Sequence, residues 1–258
     1  MISSERRRRI LVAVQSDGAA SVRSLATQLQ VSESTIRRDL EFLDRGGEIL
    51  RTYGGAMSPS PVPSASGDGK ESPFAVERDR NLDLKARVAA KAVDLVADGD
   101  VVVLDIGTTT PLVARGLRGR DVTVVTSNLA VLDELRDDDT VRLVLLGGVL
   151  RRNYQTLVGS LVEQALKQVH ADLVLLSCTG VRPGGRVVDN MAVETPLKQA
   201  MIEAAERVVV LATEAKFPGQ GSHRLCSLSD VDVLVTTAGA PESTTDLCRE
   251  AGGKVIRA

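Results

Sequence analysis

The segment from 21 to 57, SVRSLATQLQVSESTIRRDLEFLDRGGEILRTYGGAM, constrains the fold more than any other stretch of this chain. Val22, Leu25, Ala26 and Leu29 recur at helical spacing behind Ser21, which is placed to cap the first turn. Val31 plugs a short polar turn, and Ser32 caps a second helix with apolar positions Ile36, Leu40 and Leu43. At about 100° per residue those three share one face. Ser34, Arg38, Glu41 and Arg45 lie opposite, with Arg37 on the flank. Gly46 and Gly47 end the helix where a left-handed residue is wanted. Ile49 to Gly55 then supplies a strand and the turn of a hairpin. Upstream, Glu5 to Gln15 reads as a further helix with Ile10, Leu11 and Val14 facing inward. Two short helices, a tight turn and a basic hairpin make a winged helix-turn-helix, which lays its second helix in the major groove of DNA.

The chemistry of the exposed face suits that placement. Ser34, Thr35, Arg37 and Arg38 occupy the N-terminal half of the second helix. Arginine pairs bidentately with guanine, while short hydroxyls reach phosphates or base edges. How Arg37 and Arg38 divide the work stays open, since one of them can hold phosphate or pair with Asp39 or Glu41. Arg51 and Tyr53 on the hairpin are candidate wing contacts to backbone or minor groove. The four arginines at 6 to 9 form the one dense basic cluster and could contact the flanking backbone. Charge supports a specific regulator rather than a coat protein. The whole chain carries 32 Lys plus Arg against 34 Asp plus Glu, a net −2, while residues 1 to 57 carry a surplus of two positive charges. Useful affinity from so small a surplus requires at least two copies on a repeated or palindromic operator.

Length allows two domains, and residues 58 to 73, SPSPVPSASGDGKESP, mark the boundary. Four of the nine prolines and five serines fall there, a composition that cannot pack into an element and reads as a linker. The expected organisation is therefore 1–57 for DNA binding, 58–73 as linker, and 74–258 for effector binding and oligomerisation. No apolar run approaches membrane-span length, and the N-terminus lacks the apolar core of a signal peptide, so a cytoplasmic location without membrane partners is expected. Cys178, Cys226 and Cys248 are scattered without ligand spacing and read as reduced structural thiols; neither a metal nor a cofactor is expected.

From Asn81 onward helices alternate with short Val/Leu-rich runs: 101–106, 122–126, 141–146, 173–177, 208–211, 231–235 and 254–256. Continuous apolar runs with little polar alternation indicate strands buried on both faces. With the intervening helical stretches they imply a three-layer α/β domain around a mostly parallel sheet. Only five aromatic residues are present and no tryptophan, so its core must be aliphatic.

The strand ends carry the chemistry. The first runs into Asp105-Ile106-Gly107-Thr108-Thr109-Thr110, the second into Thr126-Ser127-Asn128, the third into Gly147-Gly148, the fourth into Thr179-Gly180, and the fifth into Thr213-Glu214-Ala215-Lys216. In an open parallel sheet, ligands bind beyond the carboxyl ends of the strands. Hydroxyls, an amide, glycines and a lysine at that edge suit phosphate and sugar hydroxyls. Gly107 to Thr110 leads into Pro111, a favoured first helical residue, so free backbone N–H groups would face an anion. Glu194 and Lys198, four apart on one helix, either both face the ligand or form an ordinary surface pair worth a few tenths of a kcal/mol.

Two sets of residues resemble one family. Val31-Ser32, Thr35-Ile36-Arg37-Arg38-Asp39-Leu40, Leu43, Gly47 and Gly54-Gly55-Ala56 resemble the signature of the DeoR family of bacterial transcriptional regulators, with Tyr53 where the family usually has histidine. Asp105-x-Gly107-Thr108-Thr109, Thr126-Ser127-Asn128, Gly147-Gly148, Ala171-Asp172, Gly180, Glu194-x-x-x-Lys198 and Lys216-Phe217 resemble that family's sensing domain, which is similar in fold to ribose-5-phosphate isomerase. Thr213-Glu214-Ala215-Lys216 departs from the common Asp-x-Ser/Thr-Lys. The resemblance implies a repressor of a carbohydrate-utilisation operon, released when a phosphorylated sugar or related metabolite occupies the strand-end edge. Expected effector residues are Asp105, Gly107, Thr108, Thr109, Thr110, Ser127, Asn128, Gly148, Glu194, Lys198 and Lys216. The competing class is a phosphosugar isomerase that carries a DNA-binding domain. Isomerisation needs a general base and an electrophile, which Glu194 with Lys198 or Lys216 could imitate. Catalysis is not expected, and whether the protein represses or activates depends on where its operator sits.

Overall fold

The structure is a computed structural model describing residues 6–7, 9–11, 14, 19–45, 49–52, 55–57 and 73–258. The chain divides into two compact units, Met1–Ser72 and Pro73–Ala258.

In the first unit, helical residues around Ile10 and Val14 precede β1 (Ala19–Ser21), α1 (Val22–Leu29), α2 (Glu33–Arg45), β2 (Leu50–Thr52) and β3 (Gly55–Met57). Both expected caps form. Ser21 Oγ accepts from the Ser24 N–H at 3.0 Å and Ser32 Oγ from the Thr35 N–H at 3.3 Å. The turn between the helices closes with Gln30 in the left-handed region (φ 52°) and the Val31 N–H on the Ala26 carbonyl at 3.1 Å. β3 pairs antiparallel with both β1 and β2, so the wing is a three-stranded sheet. Ile10, Val14, Leu25, Ile36, Leu40, Leu43 and Ile49 fill the core beneath it. Gly46, Gly47, Tyr53 and Gly54 lie outside the described residues, as do the side chain of Arg51 and the whole segment 58–72.

The second unit opens with α3 (Phe74–Asp79) and α4 (Leu82–Val93), joined through Asn81 at φ 52°. There follow β4 (Val101–Leu104), α5 (Thr110–Gly116), β5 (Thr123–Thr126), α6 (Leu129–Leu135), β6 (Arg142–Leu145), the hairpin β7 (Val149–Arg151) and β8 (Thr156–Val158), α7 (Ser160–Leu166), β9 (Ala171–Ser177), β10 (Gly180–Val181), β11 (Arg186–Asp189), α8 (Thr195–Glu203), β12 (Ala205–Ala212), β13 (His223–Ser227), β14 (Val233–Thr236), α9 (Glu242–Glu250) and β15 (Lys254–Arg257). Seven strands form one sheet in the order β15-β14-β12-β9-β4-β5-β6, and every neighbouring pair is parallel. These are the seven apolar runs of the sequence.

Strand periodicity splits the core in two. Val102 and Leu104 project to the face covered by Val88 of α4, Val113 of α5 and Val131 of α6. Val103 and Val125 project to the other, with Val162 of α7 and Leu197 and Met201 of α8. Both layers are aliphatic. A small antiparallel sheet, β10-β11-β13, and the β7–β8 hairpin lie outside the main sheet, and the sequence runs did not foresee them. Chain order runs outward from β4 through β5 to β6, then returns to β9 on the opposite side of β4. The sheet therefore reverses between β4 and β9, and the crevice at the carboxyl ends of such strands is where open α/β sheets bind ligands.

Candidate functional site

The DNA-reading surface rests on how α2 sorts its charges. Arg37 pairs with Glu33 at 2.7 Å and Arg45 with Glu41 at 2.6 Å, both exposed i,i+4 contacts. Arg38 is exposed, and its side chain forms no hydrogen bond or ion pair among the described residues. Ser34 and Thr35 gather at the helix start, each hydroxyl 2.9 Å from Ser32 Oγ. Asp39 is buried instead of facing solvent. Its carboxylate accepts from Arg6 Nε at 2.5 Å and from Arg7 Nε at 3.0 Å. The Arg7 guanidinium also lies 3.7 Å over the Phe42 ring. Two of the four N-terminal arginines, expected to reach flanking backbone, thus lock the first helical segment to α2. Neither Arg37 nor Arg38 takes Asp39 or Glu41 as its partner. Exposed pairs such as Arg37–Glu33 contribute little, so that contact leaves Arg37 able to turn outward, and the Arg38 side chain has no partner among the described residues to leave.

In the second unit, the reversal point of the sheet carries a buried charge cluster. Asp105, at the end of β4, is fully buried. Its Oδ2 accepts from the Ser177 N–H at 2.9 Å, from the Ser177 hydroxyl, and from Lys198 Nζ at 3.1 Å. Lys198, from the first turns of α8, also meets Asp189 at 3.0 Å and the Ser177 carbonyl at 3.1 Å. Burial opposes the Lys198 charge, but Asp105, Asp189 and Glu194 outweigh it and hold the ammonium well above its ordinary pKa. Glu194 is buried against Arg151 of β7 and forms an ion pair with it. Burial, with Asp189 and Asp105, pushes Glu194 up to about 7 against the pull of Lys198 and Arg151. The Glu194–Lys198 pair of the sequence is therefore no surface salt bridge: each residue has its own buried partner of opposite charge.

Gly107 is required by proximity, since a Cβ there would fall 1.9 Å from Ser177 Oγ. Gly148 is likewise tight, with a Cβ 2.6 Å from Val162 Cγ2 and 2.8 Å from the Val158 carbonyl. Thr110 Oγ1 donates to the Asp105 carbonyl at 2.6 Å and the Gly107 carbonyl at 3.0 Å. Asn128 Nδ2 reaches the Gly107 carbonyl at 3.1 Å, and its Oδ1 caps α6 through the Ala130 N–H at 3.0 Å. These two side chains shape the Gly107–Thr110 loop. Thr108 and Thr109 are buried beside them, and their side chains form no hydrogen bond among the described residues.

Five buried side-chain oxygens among the described residues have no hydrogen-bond donor: Asp105 Oδ1, Ser127 Oγ, Thr156 Oγ1, Asp189 Oδ2 and Thr236 Oγ1. Of these, Asp189 Oδ2 is charge-paired with Lys198. Leaving such an atom unpaired costs about 1–3 kcal/mol. Asp105, Ser127 and Thr236 stand at carboxyl ends of the main sheet, and Thr156 bridges to Asn128 at the same edge. Unmet polar groups concentrated in this way are what a pocket for polar ligand atoms presents.

Lys216 is half-buried on the turn after β12, and its side chain has no hydrogen bond or ion pair among the described residues. Its charge bears on Cys178, a thiol that burial pushes up to about 11, and on Lys85. Lys85 escaped the sequence reading. It is 5 % exposed on α4, its Nζ donates to the Glu77 carbonyl, and no carboxylate pairs with it among the described residues. Burial first, and then Lys216, depress it to about 8. The signal was present, because Lys85 occupies the same helical stripe as Val88, Ala89 and Ala92, where an apolar residue belongs.

A winged helix-turn-helix followed by a parallel α/β unit with a polar, charged reversal point defines a ligand-sensing DNA-binding protein. Residues 6–62 match the DeoR-like helix-turn-helix domain and residues 80–238 the DeoR C terminal sensor domain. The chain belongs to the DeoR family of transcriptional regulators. It is 33 % identical to the HTH-type transcriptional regulator GlpR of Haloferax volcanii, over 99 % of this chain and 98 % of that protein. It is 30 % identical to the glycerol-3-phosphate regulon repressor of Haemophilus influenzae, covering 99 % and 97 %, and 30 % identical to the L-fucose operon activator of the same species, covering 93 % and 94 %. Among solved structures, ribose 5-phosphate isomerase A of Methanocaldococcus jannaschii is similar at 22 % identity and a TM-score of 0.40, over 53 % of this chain and 54 % of that one. No helix among the described residues is long and apolar enough to cross a membrane.

Proposed function

We propose that this regulator represses a carbohydrate-utilisation operon and leaves its operator when a phosphorylated sugar or related metabolite binds the reversal point of the sensor sheet. The carrying observation is that buried hydroxyl and carboxylate oxygens without partners gather at the strand-end edge, while the side chains of Lys216 and Lys85 form no ion pair among the described residues. Such a site takes an anionic group at the lysines and sugar hydroxyls at Asp105, Ser127 and Thr156. Thr108 and Thr109 add hydroxyls, Gly107 gives close backbone approach, and Thr110, Asn128 and Gly148 hold the loops in shape. Glu194 and Lys198 set the charge of the floor.

On the DNA side, Arg38 reads a base, Arg37 supports it, and Ser34 and Thr35 meet phosphate. Arg51 and Tyr53 serve as wing contacts. Because one α2 covers few base pairs, the working species is a homo-oligomer on a repeated operator, acting in the cytoplasm where that DNA lies. Activation is the same chemistry at a differently placed operator, and the activator among its relatives is one precedent.

Isomerase activity is disfavoured by how the carboxylates are engaged. A general base must be free to accept a substrate proton, whereas Asp105 is held by Ser177 and Lys198, and Glu194 by Arg151. Ribose-5-phosphate turnover should therefore be undetectable. The direct test is calorimetry of Lys216→Ala with a panel of sugar phosphates and their unphosphorylated sugars. Loss of sugar-phosphate binding with intact operator binding is expected, giving a repressor that cannot be induced. Wild-type ligand affinity in that variant would move the pocket elsewhere.

A further inference from the structure

The stretch 58–72 ends at α3, and two contacts hold α3 to the sensor body. At its start, the Phe74 N–H donates to the Asn153 carbonyl at 3.0 Å, and the buried Phe74 ring meets Tyr154 edge-on at 5.4 Å. One turn later, the Glu77 carbonyl accepts from Lys85 Nζ. The first contact reaches the hairpin that flanks the strand-end edge. Asn153 and Tyr154 sit in the turn of the β7–β8 hairpin, whose Arg151 pairs with Glu194 and lies 5.8 Å from the centre of the Tyr154 ring. Lys85 feels the charge of Lys216 more strongly than that of any other residue.

An ammonium carries three donors. Lys85, 5 % exposed, spends one on a neutral carbonyl and has no ion-pair partner among the described residues, the nearby Glu77 and Asp79 charges notwithstanding. A buried cation without a counter-ion is costly, and a ligand oxyanion is the group that would relieve both lysines at once. We propose that Lys85 is shared between ligand and fold: with Lys216 it takes the anionic group of the effector, and through the Glu77 carbonyl it makes α3 respond to occupancy. Anion binding immobilises the ammonium and so tightens α3, the first described element after the stretch that follows the wing. This rests on the effector being anionic and bound at the same edge. It assigns the sensing step to a residue on α4 rather than to the strand-end loops.

The test uses the full-length protein, inorganic phosphate as probe, and sodium chloride at matched ionic strength as control. Binding is read by thermal shift, and α3 by hydrogen exchange of the amides from 76 to 81. Phosphate should raise the wild-type melting temperature and slow exchange in α3. Lys85→Gln keeps a donor for the Glu77 carbonyl but loses the charge, so it should bind phosphate at least tenfold more weakly and show no phosphate-dependent protection. Phe74→Ala should loosen α3 while phosphate binding survives.

Equal phosphate responses in wild type and Lys85→Gln, or no response in the wild type, would overturn the proposal. Binding without any change in α3 exchange would overturn the coupling. Lys216→Ala separates the two readings. If it abolishes the response and Lys85→Gln does not, the strand-end site stands and the role of Lys85 falls; if neither matters, both fall.

Discussion

Replacing Asp39 tests the first unit at its most sensitive point. The carboxylate is 2 % exposed and bonded to two arginines at 2.5 and 3.0 Å. Asp39→Ala leaves both guanidinium groups without their acceptor. Removing one partner of a buried pair costs about 3–5 kcal/mol, but the Arg6 and Arg7 side chains are 13 % and 29 % exposed and can regain water, so about 2–3 kcal/mol is the better expectation. A unit of some 60 residues has roughly 3–9 kcal/mol of stability in all. The variant should thus sit near unfolding at 37 °C while the second unit is untouched. Urea titration with hydrogen exchange resolved between α1–α2 and the main sheet measures both. Because Asp39 faces inward, operator affinity should fall with the folded fraction and recover on cooling. A loss under about 1 kcal/mol, or equal destabilisation of both units, would show that the Arg6–Asp39–Arg7 contacts do not hold α2 in place.

Arg38→Ala should cost about 1–3 kcal/mol of operator binding and relax sequence preference at one position, with Arg37→Ala costing less because that side chain must first leave Glu33; competition binding on operator variants ranks the two. Glu194, raised from 4.5 to about 7, stabilises the fold relative to an ordinary carboxyl below pH 4.5 and loses that contribution as pH rises through 7. Glu194→Gln should therefore flatten the pH dependence of stability by up to about 3 kcal/mol across that window, as followed by urea midpoints at pH 5 and pH 8. Phosphate binding should weaken as pH rises through about 8, where Lys85 loses its proton under burial and the charges of Lys216 and Arg80, against the opposing pull of Glu77 and Asp79; isothermal titration at pH 7 and pH 9 reads the change.

The parallel sheet was legible because burial on both faces leaves continuous Val/Leu runs, such as Val101–Leu104 and Val208–Leu211, that solvent-facing strands cannot have. The helix-turn-helix was legible because its caps, its turn and its 3.6-residue stripe agree with one another. The β7–β8 hairpin was missed for the opposite reason. Val149 is 69 % exposed and Arg151 points to a buried carboxylate, so its polarity pattern is inverted relative to a surface hairpin. Phe74–Asp79 was missed because one buried residue in six makes no stripe. At the sensor edge, Asp105, Gly107, Ser127 and Lys216 were visible from their positions just past strands. Asp189, Arg151 and Thr156 come from a small sheet and a hairpin, and only the tertiary fold brings them to that edge.

Under the proposed function, the charge layout at that edge favours binding over reaction. Three carboxylates, Asp105, Asp189 and Glu194, converge on two cations, Lys198 and Arg151, inside the protein. Each carboxylate is tied to a cation, so proton abstraction would have to break an ion pair in a low-dielectric setting, where leaving either partner uncompensated is strongly unfavourable. Lys85 and Lys216, whose side chains pair with no carboxylate among the described residues, carry the opposite sign and would attract an anion. Such a division suits binding: paired charges hold the floor rigid, and unpaired ones draw in the anion. Tight pairing also makes the floor poorly deformable, so occupancy has to be felt at its margins. On the proposed reading, Lys85 through the Glu77 carbonyl and Arg151 through Tyr154 and Phe74 are those margins, and both lead to α3.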